Sequence, residues 1–212
     1  KVINEMSENI RAQRLQQMFS DFGKGIQFHA VSFREIDEKA KYWLTVALPS
    51  MFGLIGYGFQ QGRNLSPYLE VVFPSVAICL FASIFFFART LGSQEVKAGV
   101  TRPENIDMES LYYFLQSSET WTEYEQIKVK TALEAFDFNE NCNTRKSKCL
   151  KKAESLLFLG VPSSAFLAVC LAFAYGCVTH GRWISAPVSV VAGIALGAFV
   201  SALILVVTHA RS

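Results

Sequence analysis

The fold is decided by residues 183–210, which read WISAPVSVVAGIALGAFVSALILVVTHA and contain no Asp, Glu, Lys or Arg. Three further windows without these residue types cover positions 42–62, 71–88 and 155–181. Each window is apolar and at least about 18 residues long, the length needed for a membrane-spanning helix. Spanning β-strands alternate polar and apolar residues over ~10 positions, so uniformly apolar windows favour helices. The sequence therefore predicts an all-α membrane protein with four transmembrane helices, arranged as two hairpins with cytoplasmic helices.

The distribution of Lys and Arg predicts the topology. Only Arg63 and Arg182 lie in the two loops that would close the hairpins. The positive-inside rule then places both termini and the middle of the chain on the cytoplasmic side of the membrane. We predict cytoplasmic helices at 1–41, a transmembrane hairpin at 42–88, a cytoplasmic helical segment at 89–154 and a second hairpin at 155–212. A basic cluster before span three sets this topology and can attract anionic lipid headgroups: Arg145, Lys146, Lys148, Lys151 and Lys152.

Each span carries one proline, at Pro49, Pro74, Pro162 and Pro187, and both pairs are 25 residues apart. This spacing indicates a duplicated hairpin of parallel orientation; the alternative is coincidence, because proline is frequent in membrane helices. Each proline removes one backbone hydrogen bond, so we expect a kink at each. A neighbouring serine hydroxyl can satisfy the freed carbonyl. Kinked helices suit a gate, and they are equally an ordinary packing device.

Small residues predict close helix contacts in two of the spans. Gly193 and Gly197 form a GxxxG pair that Ser201 continues, and Gly53 and Gly56 are similar in span one. Such residues let helix backbones approach closely in lipid. The contacts could lie within one subunit or between subunits.

The cytoplasmic parts show helical periodicity. Residues 15–26 carry an apolar stripe, and a second helix over 33–41 is expected to run into span one. A longer helix is predicted to start near Ser118, and residues 139–144 separate it from the basic cluster. Aromatic residues of this segment are candidate anchors for a soluble partner, unless they pack against each other: Tyr112, Tyr113, Trp121, Tyr124 and Phe136.

The composition and motifs argue against catalysis. The 212 residues are 51% hydrophobic and 18% charged, whereas soluble domains carry about 25% charged residues. No P-loop, HExxH or GxSxG motif is present, and Cys142 and Cys149 have no neighbouring His or second Cys pair for a metal. We therefore predict no enzyme, no cofactor, no metal and no nucleic-acid partner. Ion-coupled transport is disfavoured because the spans contain no Asp, Glu, Lys or Arg.

Residues 34–40 read REIDEKA and are followed by Tyr42-Trp43-Leu44. This junction resembles the D-x-K-A sequence before the first membrane helix of small transmembrane effectors in bacterial nucleotide-signalled anti-phage defence, of the Pycsar and CBASS types. Residues 146–157 look like the start of the second hairpin in four-helix members. The resemblance covers these two junctions and implies an effector that oligomerises and breaches the inner membrane.

Two functions follow as hypotheses. The first is an oligomeric effector that permeabilises or perturbs the membrane, acting through lipids and further copies of itself. The second is a membrane-anchored sensor or scaffold that recruits a soluble cytoplasmic partner. A solute facilitator is poorly motivated, because only hydroxyl groups are available near the midplane.

Overall fold

In a computed structural model of the chain, the structure describes residues 2–61, 67–92, 118–178 and 186–210, which are helical except at residues 91–92. Helix α1 spans Val2–Gln61, α2 spans Pro67–Thr90 and α3 spans Ser118–Ser155. A π-helix of five residues, Leu156–Gly160, joins α3 to α4, Val161–Val178, without a break. Helix α5 spans Ala186–Ala210. Two long helical stretches are therefore each followed along the chain by a shorter helix.

Four of the described helical stretches are long and apolar enough to cross a membrane. They lie in α1, in α2, in the stretch from α3 to α4, and in α5, and each overlaps one of the four charge-free windows of the sequence. For the described residues, the prediction of an all-helical chain with four candidate membrane spans is confirmed.

Helix α1 is longer than the periodicity predicted. Two separate helices were expected before span one, but one helix runs from Val2 to Gln61. Gly25 does not end it, because this glycine packs against the ring of Phe136, where an added Cβ would lie 2.6 Å from a ring carbon. Tertiary packing here outweighs the helix penalty of about 1 kcal/mol for each glycine.

Helix α3 begins at Ser118, as expected, but it does not stop at residues 139–144. Asn139 is fully buried, and the side chain of Asn143 bonds His29 of α1. The asparagines that suggested an interruption are therefore packing residues of a continuous helix.

The chain divides into two compact units. The first contains Lys1–Glu35 and Ser93–Arg145. Its core is built from Ile26, Ala132 and Ala135, with three phenylalanine rings packed against them. Two of these rings, Phe22 of α1 and Phe136 of α3, have centroids 6.0 Å apart. Apolar contacts between α1 and α3 thus hold this unit together.

The second unit contains Ile36–Gly92 and Lys146–Ser212. Helix α2 contacts α4, α5 and the π-helix. One buried cluster joins α1, α2 and α3 through Ala40, Phe87, Leu150 and Ala153. This arrangement makes α2 the central helix around which the candidate site is built.

The prolines occupy different helical settings. Pro49 and Pro74 lie inside α1 and α2, Pro162 follows the π-helix within the continuous stretch from α3 to α4, and Pro187 is the second residue of α5. The expected repair by a neighbouring serine is wrong at Pro49. The carbonyl freed there belongs to Thr45, four residues earlier, but Ser50 Oγ donates to Val46 O. A serine i→i−4 bond to its own helix explains the difference.

Candidate functional site

The closest helix contact in the second unit joins α2 to α5. A Cβ added at Gly193 would lie 2.4 Å from Val71 O, and one at Gly197 would lie 2.5 Å from Ser75 O. No side chain larger than hydrogen fits at that distance without a shift. The GxxxG pair therefore lets the two helix backbones meet, as small residues do in membrane bundles.

The buried thiol of Cys79 extends the contact between α2 and α5. Cys79 Sγ lies 3.3 Å from Ser201 Oγ and 3.6 Å from Gly197 O. The contacts advance together along the chain, from Val71 and Gly193 to Cys79 and Ser201, so α2 and α5 run parallel. If two hairpins of the same orientation lie side by side, their second helices run parallel, as α2 and α5 do.

The same region of α2 also meets the end of α3 and the π-helix. Ser83 Oγ donates a hydrogen bond of 2.9 Å to Ala153 O. A Cβ built on Gly160 would lie 3.8 Å from Cys79 Cβ and 3.4 Å from Ile204 Cδ1 of α5. The π-helix is thus wedged between α2 and α5.

Hydroxyl groups are concentrated inside this contact region. Ser75, Ser83 and Ser164 have no exposed surface. Ser164 Oγ donates to Val161 O of its own helix, whereas Ser75 Oγ has no hydrogen-bond partner among the residues that the structure describes. A buried hydroxyl without a partner costs free energy, which makes Ser75 an unsatisfied point in the helix contact.

Buried positions recur every seven residues along both long helical stretches. On α1 they are Ile26, Phe33, Ala40 and Ala47. On the second stretch they are Ala132, Asn139, Lys146, Ala153 and Gly160. Each of the four on α1 precedes its counterpart by 113 positions, which is also the separation of Pro49 from Pro162. Burial every seventh residue is typical of paired helices that pack as a coiled coil.

Two polar contacts lie at or beside these buried positions. In the second unit, Lys146 Nζ bonds Asp37 Oδ1 at 2.8 Å, and Lys146 is only 6% exposed. In the first unit, Asn143 Nδ2 lies 3.0 Å from His29 Nδ1 and donates to His29 O. A lysine or asparagine at a core position fixes the register and the partner of a helix pair. These residues therefore specify how the long helices align.

The other basic residues of the predicted headgroup cluster differ from Lys146. Arg145, Lys148 and Lys151 are exposed, and Lys152 lies 5.9 Å from the centroid of the Phe86 ring. The charge of Lys146 is neutralised inside the chain, so the remaining members are the ones available to lipid.

The glycines predicted for span one have a different setting from those of span four. No atom of the described residues lies within 4 Å of a Cβ built on Gly53 or Gly56, and both residues are exposed, as are Pro49 and Pro162. The structure therefore brings Gly193, Gly197, Ser201 and Pro74 together, and it leaves the glycines of α1 on an open face.

The predicted aromatic anchors are only partly described. Phe136 packs against Phe22 and His29, with ring centroids 6.0 and 4.9 Å away. Tyr112 and Tyr113 lie outside the described residues, and the side chains of Trp121 and Tyr124 are outside the described part of α3. Phe136 therefore contributes to the core of its unit.

Sequence reasoning missed the contact face of α2. Its contact residues Ser75, Cys79 and Ser83 recur every fourth position, a small-residue pattern that could have been read beside the GxxxG pair. His29 and Asn143 are 114 positions apart and carry no local signal. Among the described residues, no group of three or more His, Cys, Asp or Glu side chains is placed to hold a metal.

Comparison with known proteins adds no relative. No family model matches the chain, and neither the curated proteins nor the solved structures contain a match.

Proposed function

We propose that this chain is a multi-pass protein of a bacterial inner membrane that assembles into homo-oligomers and perturbs the membrane, as an effector of the anti-phage defence type. Both termini and the segment between the hairpins lie in the cytoplasm in this proposal. The support for that orientation is the concentration of Lys and Arg in these segments, together with the four apolar helical stretches.

The unequal use of the two glycine pairs carries the proposal. Atoms of α2 lie against Gly193 and Gly197, whereas among the described residues no atom lies within 4 Å of a Cβ added at Gly53 or Gly56. Of the apolar window in α1, 6% is buried, against 39% in α2. Since small residues in membrane helices serve close helix packing, the open pair is best used by a second copy of the chain. A single bundle of this size cannot enclose a channel, so a membrane lesion requires several copies.

A duplicated hairpin supports the same proposal. Lys39-Ala40 and Lys152-Ala153 are separated by the same 113 positions as Pro49-Ser50 and Pro162-Ser163. Ala40 and Ala153 belong to one buried cluster and have no exposed surface. The two long helices then pair through the positions that are buried every seventh residue. The other face of the α1 span remains available for assembly with further copies.

The test is a double substitution, Gly53→Leu with Gly56→Leu, in the full-length chain. The proposal expects the wild type to form oligomers in native mass spectrometry and to release dye from liposomes. The double variant should be monomeric and release at least tenfold less dye, because leucine side chains would prevent close approach of the α1 faces.

Val188→Leu with Val191→Leu is the matched control, since both valines are exposed on α5 and neither is a small packing residue. The control should oligomerise and leak as the wild type does. An oligomer that survives in the glycine double variant, or a stable wild-type oligomer that never leaks, would contradict the proposal.

A second candidate is a membrane-anchored scaffold for a soluble cytoplasmic partner. One observation favours it: Phe28 and Val31 lie before the predicted first span and are 68% and 57% exposed. Exposed apolar side chains outside a membrane mark interaction surfaces when they are contiguous. In a cross-linked pull-down, Phe28→Ala with Val31→Ala should lose a soluble partner that the wild type retains. Recovery of self-copies only would count against this role.

A further inference from the structure

The π-helix between α3 and α4 adds one residue to a helical turn. Val161 N–H donates to Leu156 O, five residues earlier, where an α-helix would use the fourth. Single π-turns are rare, and they occur frequently at functional positions. This turn is also buried at both ends, at Leu156 and Gly160.

Pro162 alone does not explain the π-turn. Pro49 lies 113 positions earlier, at the matching place in the other long helix, and α1 remains α-helical through it. Helix α2 likewise contains Pro74 without a π-turn. The difference lies in the contacts, because Gly160 is wedged between Cys79 of α2 and Ile204 of α5.

The pattern of burial changes across the π-turn. Before it, Lys146 and Ala153 are buried at a spacing of seven, and after it Ser164, Ala168 and Ala172 are buried at a spacing of four. One extra residue in a helix turns everything beyond it by about 100°. The π-turn therefore redirects the buried face of the helix from the seam with α1 toward α2 and α5.

We propose that Leu156–Gly160 is a rotary joint that alternates between the π form and an ordinary α-helix, turning α4 by about 100° against α2. In the α form, residue 159 takes the place that Gly160 occupies beside Cys79, and Ser164 leaves its buried position. The Ser83 bond to Ala153 O holds the end of α3 in place while α4 turns. The joint stands on this geometry and not on the proposed effector function.

The test uses Cys79 as a fixed reporter on α2. Gly160→Cys places two Cβ atoms about 3.8 Å apart, which is the mean Cβ separation in disulfides. Leu159→Cys replaces a lipid-exposed residue that reaches Cys79 only in the α form. Phe158→Cys replaces another exposed residue, which faces Cys79 in neither form. Disulfide formation in nanodiscs under a membrane-permeant oxidant is followed by mass spectrometry of the linked peptides.

Ser201→Cys is the positive control, because it sits opposite Cys79 on the contact between α2 and α5, which does not include the joint. Gly160→Cys should form the disulfide at a rate close to that of Ser201→Cys. Leu159→Cys should form it at least tenfold faster than Phe158→Cys. Adding Cys79→Ser should abolish all of these products.

Equal rates for Leu159→Cys and Phe158→Cys would overturn the joint, because the π-turn would then be static. Failure of Gly160→Cys to link while Ser201→Cys does so would overturn the wedged position of the π-turn. These readouts need no membrane leak, so a positive cross-linking result with impermeable liposomes would reject the effector function and leave the joint standing.

Discussion

Replacement of Gly193 by alanine should destabilise the bundle, although alanine is the better helix former. The added Cβ would lie 2.4 Å from Val71 O and 2.7 Å from Pro74 Cγ, so α5 must retreat by about 1 Å to reach an ordinary van der Waals distance. Overpacking of this kind costs about 1–3 kcal/mol. The opposing gain in helix propensity is at most about 1 kcal/mol.

Gly53→Ala is the matched control, because nothing lies within 4 Å of its added Cβ. It receives the same propensity gain without the collision. The difference in unfolding free energy between the two variants should therefore be about 1–3 kcal/mol. This corresponds to a change of roughly fivefold to more than a hundredfold in the ratio of folded to unfolded protein.

The assay follows modification of the Cys79 thiol by a maleimide as the SDS fraction in mixed micelles is raised. Cys79 has no exposed surface in the folded chain, so it reacts when α2 separates from α5. The other cysteines are replaced by serine, and the protein is kept monomeric by excess detergent. If Gly193→Ala is as resistant as Gly53→Ala, the close contact between α2 and α5 is refuted.

Two further pairs of variants test the polar contacts by the same assay. Asp37→Asn removes the carboxylate that pairs with the Lys146 ammonium, and Lys146 is 6% exposed. This variant should be more destabilising than Lys146→Met, because breaking a buried ion pair and leaving one charge unpaired costs up to about 3–5 kcal/mol. The cost is smaller here, since Asp37 is partly exposed. The reverse order would contradict a stabilising role for the ion pair. Ser83→Ala should lose about 0.6–1 kcal/mol with its bond to Ala153 O. Ser75→Ala should lose nothing or stabilise the fold, because Ser75 Oγ has no hydrogen-bond partner among the described residues; a loss as large as that of Ser83→Ala would show that this hydroxyl is satisfied.

Hydropathy was sufficient to predict the four apolar helices, because lipid leaves the backbone of a long uncharged segment few alternatives. The start of α3 at Ser118 was predicted from a different signal, an acidic residue, Glu119, in the first turn. The continuity of α1 and α3 was not predictable in this way. Gly25 and Asn143 are locally unfavourable to a helix, and they are accommodated by Phe136 and His29, which come from the other long stretch of the chain.

Only the α5 side of the contact between α2 and α5 was predictable from the sequence. The GxxxG pattern of α5 was visible in the sequence, but its acceptor surface consists of the backbone carbonyls of Val71 and Ser75, which any sequence possesses. The π-helix was not predicted, because no local sequence preference requires its extra residue. The extra residue instead accompanies a change in the helices against which this stretch packs. The change of packing partner is seen in the structure, where Ser164, Ala168 and Ala172 are buried at a spacing of four residues.

The ion pair between Lys146 and Asp37 has a consequence for how copies of this chain can combine. The position 113 residues after Asp37 is Leu150, and the position 113 residues before Lys146 is Phe33. Two copies of the second long helix would therefore bring two ammonium groups together with leucine where a counter-charge is needed. Pairing between two copies of the second long helix is disfavoured, and each copy of this helix should instead pair with a first long helix that supplies Asp37.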